Sequence, residues 1–473
     1  MDLHDLHDYA REICNDILRT VSQRIIGDVL ARVRTRIEKR TPRQPRFPEK
    51  SGSAKWAVNY EDVEWSRLVA RLRSEEPRDV DQRLFRRRFR VPFNVFEELL
   101  AAAQSSGEFV ARSPAGRRRV PLELKLLGVL RYNAVGGIWD VISEASGGVS
   151  IDTFSTFHRK YMDWFNRTQL EKYVYPSNPE TAAKTYANYG FPGCVGSMDG
   201  VHIPWEACPW QMKNLYTGKE GHPTIAFNVV CDSTTRVQSI TRAFHGKVND
   251  KTMVRCDEFV SRLRSDREYK RLAFELCEKH GVTKRWLGAY IMCDGGYHQW
   301  RETISALKGT SNVDEASFAA RLEAVRKDVE ALFGRVKKRF RILKVGLLFQ
   351  EADHVEHTFN FCMALHNRLL REDGYDVLGE SDDHWIQKDI HEHVERTKKK
   401  LQEAKKLKNI SVRHGWHPAD ADLSYVGPTA LDVPVERTAD FFELRKALVQ
   451  HQKVLGVGRW RKTGAALGKG FKR

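Results

Sequence analysis

The sequence predicts a mixed α/β core set between a helical segment and basic termini. Three observations carry that reading. From about residue 193 the chain turns to short apolar runs bounded by turn residues, one helical stretch interrupts those runs, and long amphipathic helices precede and follow them. At 473 residues, 41% of them hydrophobic, the chain is long enough for two or three domains with a genuine core.

Residues 1–80 read as a basic N-terminal arm. They contain KRTPRQPRFPEKSGSAK, whose prolines and charges oppose compact structure. The opening MDLHDLHDYAREICNDILRT is broken by charges and lacks the apolar stretch of a secretory signal, so export is not expected. Residues 81–175 read as helical. After Pro92, the residues Phe93, Phe96, Leu99 and Leu100 share a helix face. Three further helices follow, PLELKLLGVLRYNA, WDVISEA and SIDTFSTFHRKYMDWF, separated by glycines. Ser150 stands as N-cap of the third, whose inner face carries Phe154, Phe157 and Tyr161. The pattern suits a helix-turn-helix DNA-binding region or a plain three-helix bundle, and spacing alone leaves both open. Arg117, Arg118 and Arg119, just upstream, are candidates to meet phosphates.

Residues 190–372 hold the sheet. CVGSM, TIAFNVVC, VQSITRAF and YIMCD read as strands, with the helical DKTMVRCDEFVSRL between the third and fourth. Three consecutive strands, a crossover helix, a further strand and then long helices describe a ribonuclease-H-like order rather than a doubly wound dinucleotide fold. No G-x-G-x-x-G or G-x-x-x-x-G-K-[ST] follows any strand, so nothing argues for a nucleotide cofactor. Residues 373–473 form a basic C-terminal tail, with the helical pattern ERTKKKLQEAKKLKN and the flexible, Gly/Lys/Arg-rich end GRWRKTGAALGKGFKR.

Charge narrows the partners. The chain has 79 Lys+Arg against 62 Asp+Glu, a formal net charge of +17, which favours a polyanion. No apolar run reaches the roughly 18 residues a spanning helix needs, so no membrane role is expected. The eight cysteines form no C-x-x-C pair, and several sit in apolar runs, as reduced buried thiols of an intracellular protein do.

The chemistry rests on carboxylates. Asp199 follows CVGSM and precedes Gly200, and Asp294 follows YIMC and precedes Gly295, Gly296 and Tyr297. Two acids at the ends of core strands repel unless a cation neutralises them, a natural divalent-metal site. A third acid, Glu330, lies on the helix VRKDVEALFGRVKKRFRIL beside the stripe Val329, Leu332, Phe333, Val336 and Phe340. Gly334 leaves space one turn on, and Lys337 and Arg341 continue the Glu330 face toward a phosphate backbone. Asp250 in HGKVNDKTM reads equally well as a helix cap or as a further metal-site acid. Lys213, Tyr216 and Lys219 are candidate backbone contacts, and His202 and His245 read as structural histidines near the acids.

Five ordered blocks, FPGCVGSMDGVHIPWEACPWQMKNLYTGKEGHPT, FHGKVNDKTMV, YIMCDGGYHQW, RKDVEALFGRVKKRFRIL and FCMALHNRLLREDGYD, resemble the PIF/Harbinger transposase-derived nucleases, particularly their plant-transposon branch, over about residues 80–376. The resemblance implies a DDE-type transposase that cleaves DNA and transfers strands. Its metal-binding acids fall on Asp199, Asp294 and Glu330, with a further one on Asp250. It also implies two Mg²⁺ or Mn²⁺ ions about 3.5–4 Å apart, double-stranded DNA as substrate, a separate Myb/SANT-like DNA-binding partner protein and a nuclear location, and it leaves an oligomer open. Gly246, Lys247, Val248 and Asn249 stand where many relatives carry Pro-Gly-Ser, so the loop before Asp250 is shaped differently. Two rivals remain at this level: a domesticated DNA-binding protein that no longer cuts, and a ribonuclease or exonuclease of similar core.

Overall fold

A computed structural model describes residues 59–109, 120–278, 282–307, 312–375 and 435–455. Arg117, Arg118, Arg119 and most of both basic termini lie outside the described residues. Helix α1 (Glu64–Leu72) falls inside the segment read as a basic arm; it buries Trp65, Leu68, Val69 and Leu72. Helices α2 (Asp79–Phe89) and α3 (Phe93–Ser105) follow, with Phe85, Phe89 and Phe96 buried against one another.

The three-helix pattern forms as read: α4 (Leu122–Val135), α5 (Trp139–Ala145) and α6 (Ile151–Thr168). Ser150 caps α6 by accepting a hydrogen bond from the Thr153 amide at 3.3 Å. Gly128 lets α6 come close, because a Cβ there would collide with the Phe154 ring. Helix α7 (Pro179–Asn188) then leads into the sheet, its Asn178 cap accepting from the Thr181 amide.

The sheet runs β3–β2–β1–β7–β8, with β4 also paired to β2. Strands β1 (Cys194–Pro204), β2 (Thr224–Cys231) and β3 (Val237–Ile240) form an antiparallel meander, and β4 is Phe244–His245. Next come α8 (Asp250–Arg255) and α9 (Glu258–Ser265), then a separate hairpin of β5 (Ala273–Cys277) and β6 (Thr283–Leu287). The chain returns to the far side of β1 as β7 (Tyr290–Cys293), parallel to it, and β8 (Thr303–Ser305) runs parallel to β7. Long helices close the fold: α10 (Val313–Arg339), α11 (Ala352–Glu372) and, after a gap in the described chain, α12 (Val435–Val454).

Strand alternation sorts the core into two layers. Ile225, Phe227 and Val229 of β2 join Val329, Leu332 and Val336 of α10 and Phe359 of α11, whose ring stacks on Phe227 at 4.1 Å. Val230, Ile291 and Cys293 face the other way, onto Val254, Phe259 and Val260 of the crossover helices. Burying each such aliphatic or aromatic side chain contributes about 1.5–3 kcal/mol. The first cluster also takes in α1 to α6, so helical segment and sheet share one continuous core. Tyr290, Met292 and Ile304 pack with Phe318 and Leu322 of α10 and with Phe441, Leu444 and Leu448 of α12. Helix α12 is further held by Arg445, which donates to Ser305 O at 3.1 Å and Glu315 at 2.5 Å.

The sequence-read elements change in three respects. The stretch VQSITRAF divides into β3 and β4. The crossover helix is two helices, because Asp257 turns the chain and caps α9. Strand β1 does not end at Met198 but runs through Asp199 to Pro204, paired with β2 all the way from Ser197↔Cys231 to Pro204↔Thr224. Among the described residues no helix is long and apolar enough to cross a membrane, and the seven cysteines are free thiols, five of them buried.

Candidate active site at the open edge of β1

The longer β1 changes how Asp199 reaches solvent. It is the sixth residue of an eleven-residue strand rather than a strand-end turn residue. What opens there is the neighbour: β7 pairs with β1 through Ser197↔Met292 and stops at Cys293. Extending that parallel register by two residues sets Asp199 level with Asp294, the first residue past β7. The two acids therefore flank the point where one strand continues and the other leaves the sheet.

Each is fixed by its own backbone. Asp199 Oδ1 accepts from the Gly200 amide at 2.9 Å, and Asp294 Oδ1 accepts from the Gly295 amide at 2.6 Å. Asp250 joins them across two glycines. A Cβ on Gly200 would stand 3.0 Å from Asp250 Oδ1; a Cβ on Gly296 would stand 3.1 Å from Asp250 Oδ2 and 3.7 Å from Asp294 Oδ2. Any larger side chain at either position would push into the space the carboxylates share. Asp250 is also not the cap of α8: that role belongs to Asn249, whose side chain accepts from the Thr252 amide at 2.8 Å. The helix-cap explanation of Asp250 is thereby removed.

Glu330 comes to the same edge from α10, with its side chain 53% exposed. Between it and Asp199 stands Arg326, one turn earlier on the helix and buried. Its Nη1 donates to Asp199 Oδ2 at 3.1 Å, its Nη2 donates to Glu330 Oε1 at 3.1 Å, and Nη2 and Nε donate to Glu323 Oε2 at 3.0 and 3.3 Å. Burial works against the Arg326 charge, yet Glu323, Asp199 and Glu330 together carry its pKa above the ordinary guanidinium value. For Asp199 the balance falls the other way: burial raises its pKa, and neither Arg326 nor the Gly200 amide cancels that, while Asp294 adds to it. Among the described residues no three of His, Cys, Asp and Glu close around one point as a finished ligand set. The acids converge without converging fully, and a guanidinium engages two of them.

Beneath this edge runs a buried chain that the sequence did not reveal. Asn228, opposite Gly200 on β2, donates from Nδ2 to Asp257 Oδ2 at 2.5 Å and accepts at Oδ1 from the Tyr297 hydroxyl at 2.7 Å. Asp257 follows the helix that carries Asp250, and Tyr297 follows Asp294 by three residues, so one amide ties both acid-bearing segments to the central sheet. Burial pushes the Asp257 carboxyl up to about 6, despite hydrogen bonds from the Phe259 and Val260 amides and Asn228.

The basic candidates separate by position. Lys337 is half-buried and donates to His202 O at 3.3 Å, and burial lowers its pKa. His202 bonds Thr224 Oγ1 at 2.9 Å; its pKa is lowered by burial first and by Lys219 next, which puts Lys219 and Lys337 around the same backbone three residues past Asp199. Lys213 lies over the exposed Trp210 ring at 5.4 Å. Arg341 is exposed, with its backbone amide bonded to Ala134 O. Tyr216 packs against Trp205 and His245. Arg326 carried the one signal that could have found it, an acid–base spacing of three and four residues to Glu323 and Glu330; Asn228 is marked only as a polar residue inside the otherwise apolar stretch IAFNVVC, which does not name its partners.

Residues 175–377 match the family model described as plant transposon protein. This match supports a transposon-derived protein. No curated protein and no solved structure matches the chain.

Proposed function

We propose that this protein is a DDE-type nuclease of the PIF/Harbinger kind, a transposase that cuts DNA and joins strands with two divalent ions held by Asp199, Asp250, Asp294 and Glu330. The observation that carries this is the meeting of Asp199, Asp294 and Asp250 where β7 leaves β1. The strand order, an antiparallel β1–β2–β3 followed by β7 and β8 parallel to β1, supports the ribonuclease-H-like reading of the core. The match to plant transposon proteins covers this whole region.

The donor set suits Mg²⁺ or Mn²⁺: it is all oxygen, partly dehydrated, and kept open by Gly200 and Gly296. Such ions, when bound, activate an attacking water or DNA 3′-hydroxyl and stabilise the leaving oxygen. The protein's own part is positional. The Gly200 and Gly295 amides aim one oxygen of each aspartate; the second oxygen of Asp294 faces Gly296, and that of Asp199 accepts from Arg326. Lys219 and Lys337 supply positive charge beside Asp199 for a phosphate backbone. Double-stranded DNA, a Myb/SANT-like partner protein and a nuclear site of action belong to the same proposal.

One observation favours the rival of a domesticated DNA-binding protein that no longer cuts, namely the engagement of Asp199 and Glu330 by Arg326. Cleavage of labelled duplex DNA with and without Mn²⁺ separates the two. We expect Mn²⁺-dependent cutting by the wild type and loss of at least about a thousandfold in folded Asp294→Asn. Duplex binding without cutting, in the wild type and at all Mn²⁺ concentrations, would establish the rival.

A further inference from the structure

Arg326 does something a surface ion pair does not. It is buried, with a side chain 8% exposed, and its guanidinium contacts acids from two different elements: Asp199 on β1 and Glu323 and Glu330 on its own helix. A guanidinium carries only donors and has no lone pair to give a cation. Each carboxylate oxygen it engages is therefore withheld from a metal, and its charge repels one. Glu323 differs from the other two partners. It stands outside the four converging acids, bonds Arg326 through both Nε and Nη2, and can keep hold of the side chain if Asp199 and Glu330 are released.

We propose that Arg326 is a positioning residue that serves as the resident counter-ion of this acidic edge: it holds Asp199 and Glu330 together in the metal-free protein and yields them to a divalent cation, with Glu323 as the anchor it retains. This rests on the metal reading given above. The cation and the Arg326 contacts are then negatively coupled, and by linkage each weakens the other to the same degree. A purely structural ion pair makes a different forecast, since its removal lowers stability and gains nothing in metal affinity.

The test is calorimetric titration of Mn²⁺ into the full-length wild type, Arg326→Gln and Arg326→Lys, with metal-free melting curves of each. Arg326→Gln is expected to melt lower without metal and to bind Mn²⁺ about tenfold more tightly, the scale of one lost charge-assisted contact. Arg326→Lys keeps the charge but loses the planar fork, and its affinity should fall between the two; it carries the test alone if the glutamine variant does not fold. Binding by Arg326→Gln where the wild type shows none supports the proposal in its strongest form. Unchanged or weaker binding in both variants, beside a wild type that binds Mn²⁺, overturns the counter-ion role and leaves the metal site standing. Failure of all three proteins to bind Mn²⁺ overturns the metal reading and this inference with it.

Discussion

Two clusters of titratable side chains sit inside this molecule, and they meet the cost of burial in opposite ways. Where α4, α6 and α11 join, His158 Nδ1 and His354 Nε2 lie 2.8 Å apart, and His158 Nε2 lies 3.1 Å from Asn133 Oδ1. His354 also stacks on the Phe349 ring at 3.7 Å. Burial, with mutual repulsion, lowers the His158 pKa well below the ordinary range, and burial with the charges of Arg159 and His357 lowers that of His354 to about 3. These histidines give up their charge, and a single run of hydrogen bonds from His354 through His158 to Asn133 fits their neutral forms. At the β1 edge burial is met by donors instead: Arg326 to Asp199 and Glu330, and backbone amides to Asp199 and Asp294. A joint between helices works best with nothing left to titrate, whereas a site built for cations or phosphates must store charge.

The largest expected effect separates the two regions by mutation. His158→Ala removes a buried ring and strands the His354 donor, at a cost of about 3 kcal/mol in unfolding free energy. Mn²⁺ affinity of the folded protein should not change. A denaturant series read beside a Mn²⁺ titration checks both, and a parallel loss of Mn²⁺ binding would show that the helical joint and the acidic edge are one coupled unit.

The smaller contrast is in pH. A histidine depressed on folding contributes stability that is complete above its unfolded value of 6.5 and is lost as pH falls, here toward about 3 for His354. Asp257 is raised from 3.8 to about 6, so its contribution is complete below 3.8 and is lost as pH rises through 6. The two regions therefore impose opposite slopes on stability between about pH 4 and 6. Asp257→Asn keeps a good helix cap while removing the ionisation, so melting curves of this variant across that range should fall more steeply on acidification than those of the wild type. An unaltered slope would mean that Asp257 does not titrate there.

The elements around these two regions were largely legible in the sequence, for local reasons, but the joint of His158, His354 and Asn133 was not. TIAFNVVC, apolar but for Thr224 and Asn228, forms β2 over those same eight residues, buried throughout. WDVISEA forms a short helix and Ser150 caps the helix that follows it, because glycines and one side-chain oxygen settle such boundaries without tertiary help. Asp199, Asp294 and Glu330 stand out in the sequence because each borders an apolar pattern, whereas Asp250, in the polar HGKVNDKTM, reads equally well as a helix cap. The extension of β1 past Met198 was hidden, since pairing with β2 is a long-range fact that overrides the polar Asp199 and Gly200. The hairpin AFELC/TKRWL is half-exposed and rich in charge, and α12 disperses Phe441, Leu444 and Leu448 among polar residues. Asn228 could not be found, because its partners lie 29 and 69 residues away.

The smallest effect concerns two neighbours whose roles the sequence left entangled. Asn249 caps α8 through the Thr252 amide, and Asp250 turns its carboxylate to Gly200 and Gly296. Asn249→Ala should therefore cost about 1 kcal/mol of stability and leave Mn²⁺ affinity near normal, because the Asn228–Asp257–Tyr297 chain still ties the α8–α9 segment to the sheet. Asp250→Asn should do the reverse. Stability is retained, because the cap of α8 is Asn249 and not Asp250, while Mn²⁺ binding weakens. Melting curves and Mn²⁺ titrations of the two variants form a crossed design. If Asp250→Asn lowers stability and spares Mn²⁺ binding, Asp250 belongs to the helix and the acidic edge is reduced to Asp199, Asp294 and Glu330.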